Sequence, residues 1–451
     1  MTKLSRSVPS GTPVHTPGAP IPVLATLRSS RAAWATLASV MTLLAVLFYA
    51  NLTSPDEPVE HPVPHGYPVH HPQFARTMGH LFGPAVVAGN RITALQNGDR
   101  AFPAMLAAIR SAERSVNFEG YIFWGDTTGR AFAEALSERA RAGVPTRVLV
   151  DWMGSQKLGD SLDRAMRDAG VQVVKFRPLK WYSLDRLNHR THRKLLVVDG
   201  RVGFTGGIGI ADLFSGNAQD EDHWRDSQYR AEGPVVGQMQ ATFMDNWVQT
   251  GGELLDGPAY FPPLDSVGGQ RAQAVHSSPG DGTENLRLMY LLAVASAARS
   301  LRIANSYFVP NTLAVDMLVA ARRRGVDVEI IVPGRIGDAA VVRRASRAKW
   351  GPLLEAGVRI YEYQPTMYHM KVMIVDDHWV SVGSTNLDNR SFRLNDENNL
   401  NVFDEAFARA QAEVFEQDRR RSREITLEEW RRRPWRERLA EQMARAMRHQ
   451  L

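Results

Sequence analysis

A short polar pattern occurs twice in this chain of 451 residues. The first copy, HRKLLVVDGRVGFTGG, contains His192, Lys194 and Asp199, and the second, HMKVMIVDDHWVSVGS, begins at His369. Both read His, any residue, Lys, four residues, Asp, six residues, and then Gly with a small residue after it. A neighbouring imidazole and ammonium suit a phosphate, because the ammonium binds the oxyanion while the imidazole transfers protons or attacks phosphorus.

The residues around each copy predict a β-strand. Alternation along a strand places His192, Lys194 and Leu196 on one face. His369 and Lys371 share a face in the same way. A purely structural role for these lysines is disfavoured, because a buried ammonium without a partner is costly.

The motifs lie at equivalent points of a longer repeat. SAERSVNFEGYIFW at 111–124 parallels SAARSLRIANSYFV at 296–309, and RAGVPTRVLVD at 141–151 parallels RRGVDVEIIVP at 323–333. Helices alternating with short apolar strands are typical of α/β layers. The sequence therefore predicts two similar α/β halves packed face to face, the first at 89–265 and the second at 270–416.

The first 88 residues predict three segments. Residues 1–31 carry four basic residues and no acid, and 32–50 is an uncharged stretch near the roughly 20 residues that a transmembrane helix needs. Residues 51–88 are rich in Pro and His, which favours a solvated spacer over a metal site. We expect a single-pass anchor at the cell membrane with a cytoplasmic N-terminus. A signal peptide and a core helix are the less favoured alternatives.

Charge and composition narrow the classes of function. The chain has no Cys, which excludes disulfides, thiolate catalysis and Cys-ligated zinc. The net charge of +6 is concentrated at the ends, where an Arg-rich tail at 417–451 has eleven Arg against six acids. Basic ends suit anionic lipid or nucleic acid, but the remainder is net acidic, which disfavours nucleic acid. The tail either lies on lipid headgroups or forms a solvated or domain-packing helix.

Several further stretches support a family resemblance. FEGYIFW, WRDSQYRAEGP, YFVP and GSTNLDNRSFRLNDENN accompany the doubled motif. Together they resemble the phospholipase D superfamily with its two His-Lys-Asp motifs, and most closely its bacterial cardiolipin synthase branch. The resemblance covers about residues 90–415.

The resemblance implies roles for the motif residues. One histidine attacks the phosphodiester and forms a phosphohistidine, while the other protonates the leaving alcohol and then deprotonates the acceptor. The nucleophile is more often the first, His192, which leaves His369 as acid and base. Lys194, Lys371 and Asn386 would bind the non-bridging oxygens. Backbone amides would assist at four further positions, Gly206, Gly207, Gly383 and Ser384. The chemistry implies no metal and no cofactor.

Acids further along the chain are expected to support these groups. The family places acids such as Asp226 and Glu397 against the motif histidines, and the alternative is that they are solvated acids at strand edges. Glu119 either supports the site or forms a structural ion pair. Asp199 and Asp376 are expected to hold local structure.

The first motif departs from the family pattern at one position. Gly209 stands where the second motif has Asn386, so the two phosphate-binding sets are unequal. Either Asp212 or Asn217 could replace the missing donor.

The resemblance favours one activity and leaves others open. The leading expectation is a phosphatidyltransferase that makes cardiolipin from phosphatidylglycerol and a second phospholipid. The alternatives are a phospholipase D-type hydrolase, less favourably a nuclease, and a phosphate- or lipid-binding module without activity. The expected partners are a phospholipid substrate and a membrane, with no nucleic acid, and the sequence indicates no protein partner.

Overall fold

The computed structural model describes residues 31–52, 61–179, 188–279, 284–337 and 340–446. The chain divides into two compact units, Met1–Ser54 and Pro55–Leu451. In the first unit, helix α1 covers Arg31–Leu52. The predicted basic leader lies outside the described residues except for its last residue. So do residues 53–60 of the predicted spacer and the side chains at 32, 45 and 47–50 of the predicted anchor.

No helix in the described part of the chain is both long enough and apolar enough to span a membrane. The anchor predicted at 32–50 is therefore not confirmed.

The second unit begins with helix α2 at Pro72–Leu81, and the first α/β half follows it. Short 3₁₀ turns lie at Gln156–Leu158 and Asp212–Phe214. In chain order the elements of this half are β1 (Val87–Gln96), α3 (Asn97–Arg110), β2 (Val116–Gly120), α4 (Thr127–Arg141), β3 (Thr146–Asp151), α5 (Asp160–Asp168), β4 (Gln172–Phe176), β5 (Arg190–Thr191), β6 (Leu195–Val198), β7 (Val202–Gly206), β8 (Ser227–Glu232) and α6 (Val235–Gln249).

The second half repeats this order and adds elements at its end. A π-helical turn at Arg390–Leu394 precedes its longest strand. The elements are β9 (Gln270–Ser277), α7 (Asn285–Ser296), β10 (Ser300–Asn305), α8 (Thr312–Arg323), β11 (Asp327–Pro333), α9 (Ala340–Arg347), α10 (Trp350–Glu355), β12 (Arg359–Tyr363), β13 (Lys371–Val375), β14 (Trp379–Gly383), β15 (Asn395–Phe403), α11 (Glu405–Arg420), β16 (Ser422–Ile425), α12 (Leu427–Arg431) and α13 (Trp435–Ala446).

Equivalent helices begin and end in the same way in the two halves. The Asp126 side chain accepts from the Gly129 amide at the start of α4, and the Asn311 side chain accepts from the Ala314 amide at the start of α8. Short polar side chains favour this N-cap position because they satisfy an otherwise unpaired amide. Gly143 and Gly325 follow the two helices with φ of +84° and +94°, a conformation that glycine adopts without strain. The predicted duplication of an α/β fold is confirmed.

Both halves contribute to one hydrogen-bonded sheet. Strand β1 pairs antiparallel with β8 on one side and with β9 on the other, which joins the halves edge to edge. The two halves also share a cluster of buried side chains, which includes Val197, Tyr229, Val380 and Leu400. The sequence predicted halves packed face to face, and the pairing of β1 with β9 corrects this, because it joins the two halves edge to edge in one sheet. The full strand order is β16-β12-β11-β10-β13-β14-β15-β9-β1-β8-β7-β6-β2-β3-β4, with β5 beside β15.

The interpretation of 51–88 as a solvated spacer is wrong for its second part. Helix α2 buries Phe74 and Met78 in the core of the second half. Its single proline is Pro72, and proline is tolerated in the first turn of a helix because the amide there needs no helical partner. His71 caps the helix by accepting from the Gln73 amide at 3.2 Å. The dense prolines therefore precede this helix and do not prevent it.

The boundary predicted at 416 is also displaced. Helix α11 continues to Arg420, and β16 then pairs antiparallel with β12 at the edge of the sheet. Ile425 is buried there. The first part of the Arg-rich tail is therefore integrated into the second half.

Candidate active site

Each motif histidine is held by a backbone bond from the opposite half. The His192 amide donates to the Asp396 carbonyl at 2.8 Å, and the His369 amide donates to the Arg225 carbonyl at 2.8 Å. In both cases the accepting residue immediately precedes an acid predicted for the site, Glu397 or Asp226. The two halves thus exchange the same contact, and a single site contains both motifs.

The acids pair with the histidines across the halves. His192 Nδ1 lies 2.9 Å from Glu397 Oε1, and His369 Nδ1 lies 2.6 Å from Asp226 Oδ2. Both acids are buried, with 0% and 1% of their surface exposed, which excludes the alternative of solvated edge acids. A carboxylate at Nδ1 fixes the tautomer that carries its proton there and leaves the lone pair on Nε2.

The two lysines lie beside the histidines of their own motifs. Lys194 Nζ donates to the His192 carbonyl at 2.8 Å, and Lys371 Nζ donates to the His369 carbonyl at 2.6 Å. Both lysines are buried. Burial and the nearby Lys371 ammonium lower the pKa of Lys194 to about 7. The site therefore concentrates positive charge where an anionic group could neutralise it.

Burial also shifts the other titratable groups of the site. It lowers the pKa of His192 to about 4, although the Glu397 carboxylate acts in the opposite direction. It raises the pKa of Asp226 to about 7, and the Lys371 ammonium partly offsets this. Burial would raise the pKa of Glu397 too, but His192 and Lys194 hold it below its usual value. His192 is therefore a neutral imidazole beside an ionised carboxylate at neutral pH.

Polar contacts around the lysines differ between the halves. In the second half Lys371 Nζ donates to Ser306 Oγ at 2.8 Å, and Ser306 Oγ donates to Asn386 Oδ1 at 2.8 Å. Tyr121 occupies the position equivalent to Ser306 in the first half, and its ring lies 5.4 Å from the His192 ring. The second half thus has a polar chain, the hydrogen bonds from Lys371 through Ser306 to Asn386, at the position where the first half has the ring of Tyr121.

Packing explains the departure at Gly209. A Cβ added there would lie 2.9 Å from the Ile122 Cβ and 3.0 Å from the Phe214 ring, so these side chains fill the space that an asparagine would need. The two suggested replacements have other partners. Asp212 accepts from the Thr128 amide at 2.7 Å, and Asn217 accepts from the Asn97 side chain at 2.7 Å.

The prediction of phosphate-binding amides in the first motif is wrong for Gly207. Its amide donates to the Ser227 carbonyl at 3.2 Å, so sheet pairing occupies it. A Cβ at Gly207 would collide with the Asp226 carboxylate, and one at Gly206, the last residue of β7, would collide with the Ser227 carbonyl. These glycines therefore allow Asp226 to approach His369.

The same prediction is wrong for Ser384 in the second motif. The Ser384 amide donates to the Asn398 carbonyl at 2.9 Å, and its hydroxyl donates to Glu397. Gly383 is the last residue of β14 and packs directly against the Asn398 carbonyl. Ser384 therefore positions the acid that pairs with His192.

The aspartates that close the motifs face away from the histidines. Asp199 accepts from the amides of Glu113, Arg114 and Ser115 at 2.7–3.2 Å. Asp376 accepts from three amides in the equivalent loop, those of Ala298, Arg299 and Ser300, at 2.7–2.9 Å. Each aspartate thus holds the loop that precedes β2 or β10.

Glu119 lies behind His192 and contacts the residue that precedes it, Thr191. Its carboxylate accepts from the Thr191 hydroxyl and the Asn246 amide group, both at 2.6 Å. Burial raises the pKa of Glu119 to about 7, and Arg193 partly offsets this. Because Thr191 directly precedes His192, Glu119 supports the backbone of the motif.

Sequence reasoning missed a buried network behind the Asp226–His369 pair. Arg225 donates to Asp418 at 2.9 Å, and the Tyr368 hydroxyl donates to Asp418 at 3.1 Å. In the sequence, Arg225 directly precedes Asp226 and Tyr368 directly precedes His369, and this adjacency is a signal that could have identified them. Phe214 and Trp224, also missed, place their rings 5.4 and 5.3 Å from the His369 ring.

The described residues contain no group of three or more His, Asp or Glu side chains that could hold a metal ion. The site does contain two buried cations, the motif lysines, each of which donates to the carbonyl of its own motif histidine. The arrangement can bind a phosphate diester, attack it with one imidazole and move a proton with the other.

Comparisons with known proteins give concordant results. A family profile described as "Cardiolipin synthase, PLD-like domain" matches residues 105–224 and 290–419. Cardiolipin synthase A of Pseudomonas putida strain GB-1 is 37% identical over 78% of this chain and 74% of its own length. A probable cardiolipin synthase of Bacillus subtilis strain 168 is 37% identical over 75% of this chain and 67% of its own length.

A solved structure has the same fold at lower identity. The phosphatidylserine synthase of Haemophilus influenzae Rd KW20 superimposes with a TM-score of 0.61 at 16% identity. The match covers 83% of this chain and 97% of that one.

Proposed function

Because the chain belongs to the cardiolipin synthase family of phospholipase D-like proteins, we propose that it is a phosphatidyltransferase that makes cardiolipin. It takes the phosphatidyl group of phosphatidylglycerol, releases glycerol, and transfers the group to a second phospholipid. The observation that supports this proposal most directly is that each half supplies the acid that pairs with the histidine of the other half. Each motif histidine therefore has a carboxylate at Nδ1. One site thus has two oriented imidazoles, as a two-step transfer through the enzyme requires.

In the first step His192 Nε2 attacks the phosphorus of phosphatidylglycerol. The bond between phosphorus and the glycerol oxygen breaks as the phosphorus–nitrogen bond forms, and His369 gives its proton to the departing glycerol. In the second step His369 takes the proton of an acceptor hydroxyl. The acceptor oxygen then displaces the His192 nitrogen from phosphorus, which regenerates the neutral imidazole.

The electrostatics favour His192 as the nucleophile. Its pKa of about 4 keeps the lone pair on Nε2 available at neutral pH. The Glu397 carboxylate would stabilise the positive charge that develops on the imidazole during attack. Asp226 would hold His369 in the orientation that proton transfer requires.

Lys194 and Lys371 supply the charge that the phosphate needs. Both are buried, so their attraction for the non-bridging oxygens is weakly screened by solvent. Ser306 and Asn386 extend the donors around Lys371. The proposed reaction uses only these side chains, with no metal and no cofactor.

Attachment to a membrane is a further part of the proposal. Phospholipids reside in bilayers, and helix α1 covers the stretch for which we proposed a single-pass anchor with a cytoplasmic N-terminus. Its large apolar side chains at Trp34, Leu37, Met41 and Leu44 are exposed within their own unit. Exposed apolar side chains of this size suit a lipid environment.

The test is a product analysis with the full-length protein in vesicles of labelled phosphatidylglycerol. Cardiolipin and free glycerol in equal amounts are the expected products. Phosphatidic acid without cardiolipin would make the protein a hydrolase, with water as the acceptor. No turnover of the lipid would contradict an enzyme of this class and would favour a module that only binds phosphate.

A further inference from the structure

A large basic cavity opens beside the catalytic groups of the second half. Its volume is about 820 Å³, which lies within the range of small-molecule sites. Seven arginines and three glutamates line it, together with Ser306, Tyr307 and Met367 at its inner end. The outer wall consists of α9, the strand β16 and the residues around α12. The lining therefore comes from the second half and the tail that packs against it.

The inner end of the cavity is continuous with the proposed catalytic site. Ser306 accepts from Lys371 Nζ at 2.8 Å, so it belongs to both. The Tyr307 ring lies 6.5 Å from the ring of His369, the proposed acid and base. A ligand that fills the cavity would therefore reach the histidine that deprotonates the acceptor hydroxyl.

Buried acids hold some of the cavity arginines in place. Glu362, with 1% of its surface exposed, pairs with Arg343 at 2.5 Å, Arg347 at 3.1 Å and Arg423 at 2.9 Å. Arg347 also lies 3.3 Å from Glu441, and Arg423 also pairs with Glu429. The seven arginines of the cavity still outnumber the glutamates that line it or pair with them in the described part of the chain, so positive charge remains at its wall. These glutamates are Glu362, Glu428, Glu429, Glu437 and Glu441.

Two other arginines of the cavity have no acid partner among the described residues. Arg335 and Arg344 are exposed, and no carboxylate in the described residues lies within ion-pair distance of either. A guanidinium group can bind a phosphate with two parallel hydrogen bonds. These side chains are thus available to an anion that enters the cavity.

We propose that this cavity binds the phosphodiester headgroup of the acceptor phospholipid. The inference rests on the proposed function, because a transferase that joins two phospholipids must hold two phosphates at once. The first is the reacting phosphate at the motif lysines. The second stays intact and is separated from the attacking hydroxyl by one glycerol unit. A basic cavity that adjoins His369 but lies outside the motif lysines matches the second phosphate.

The test measures how the enzyme partitions its intermediate between two acceptors. Vesicles of labelled phosphatidylglycerol are supplied with ethanol, and the ratio of cardiolipin to phosphatidylethanol is determined. Arg335→Gln/Arg344→Gln should lower this ratio at least about tenfold, which corresponds to about 1.4 kcal/mol of lost acceptor binding. Both products arise from one intermediate, so the ratio does not depend on how much of the variant is folded.

The matched control is Arg100→Gln/Arg130→Gln, which removes two exposed arginines from α3 and α4 of the first half. Its ratio should stay within about twofold of the native value. The same small change in Arg335→Gln/Arg344→Gln would overturn the inference.

Further arms separate the remaining possibilities. Inorganic phosphate at millimolar concentration should lower the native ratio but not that of the Arg335→Gln/Arg344→Gln variant, because it competes with the headgroup for these two arginines. An equal effect of phosphate on both proteins would place the competition elsewhere and overturn the inference. Phosphatidylethanol without cardiolipin from the native protein would instead contradict the proposed function, and with it the acceptor.

Discussion

His369 Nδ1 lies 2.6 Å from Asp226 Oδ2, although 143 residues separate them in the chain. The reciprocal pair, His192 and Glu397, spans 205 residues in the opposite sense. Neither half alone therefore contains a complete pair of histidine and acid. The duplicated halves must act as one catalytic unit, since each orients the histidine of the other.

The first prediction concerns the charge on Asp226. Burial raises its pKa to about 7, so the carboxyl is protonated below that pH and no longer orients His369 as an anion. The native rate should fall as the pH drops through about 7. Asp226→Asn should lower kcat by about 10²- to 10⁴-fold. Its pH profile should also lack the acidic limb, that is, the fall in rate as the pH drops through about 7. A pH profile of kcat over pH 5–9 checks both expectations.

Glu397→Gln and Asp316→Asn are the comparisons for that profile. Glu397→Gln should also lose activity but keep the limb near pH 7, because the pKa of Glu397 is held below its usual value. Asp316 is an exposed acid on α8, and its substitution should leave rate and profile unchanged. An acidic limb that persists in Asp226→Asn would assign the titration to another group.

The second prediction concerns the polar chain in the second half. Ser306→Ala removes the acceptor of Lys371 Nζ and the donor to Asn386. A lost charge-assisted bond of this kind is worth about 1.5–3 kcal/mol, so kcat should fall about tenfold or more. Ser111→Ala, at an exposed helix end, is the control and should keep native activity. Native kcat in Ser306→Ala would show that the chain does not hold the phosphate-binding groups.

The third prediction concerns the glycine at the position where the second motif has asparagine. Gly209→Asn should lower the free energy of unfolding by about 1–3 kcal/mol and should not raise activity, because Ile122 and Phe214 already fill the space. Urea unfolding measures the change. Gly269→Ala is the control, since no heavy atom lies within 4 Å of a Cβ there. A fully stable and more active Gly209→Asn would mean that the first half can accept a second donor.

Local patterns predicted much of the fold. The apolar residues that follow each motif histidine and the repeated order of elements were sufficient for the duplicated α/β halves, because these signals are short-range. The strands begin later than predicted, at Leu195 and Lys371, so the motif histidines precede them. The Pro-rich spacer was misjudged because composition outweighed the apolar Phe74 and Met78, which bury one face of a helix. Strand β16 was missed because its charged residues are typical of a solvated tail, and because Ile425 is the only buried residue of the strand.

The site could be predicted in its residue types but not in its pairing. Asp226 and Glu397 were expected near the histidines, yet which acid meets which histidine depends on the contact between the halves, which no local pattern encodes. The amides of Gly207 and Ser384 were misassigned because the small residues suggested phosphate binding. Their actual contribution is close packing and positioning, which is visible only once the neighbouring strands are in place.

The most direct measurement is to trap the covalent intermediate and locate it. Full-length protein is mixed with phosphatidylglycerol labelled at phosphorus, quenched within one turnover under conditions that preserve phosphohistidine, and digested. The label should lie on the peptide that contains His192, should be absent from His192→Ala, and should still form, more slowly, in His369→Ala. A label on the His369 peptide, or cardiolipin synthesis by His192→Ala, would contradict the account.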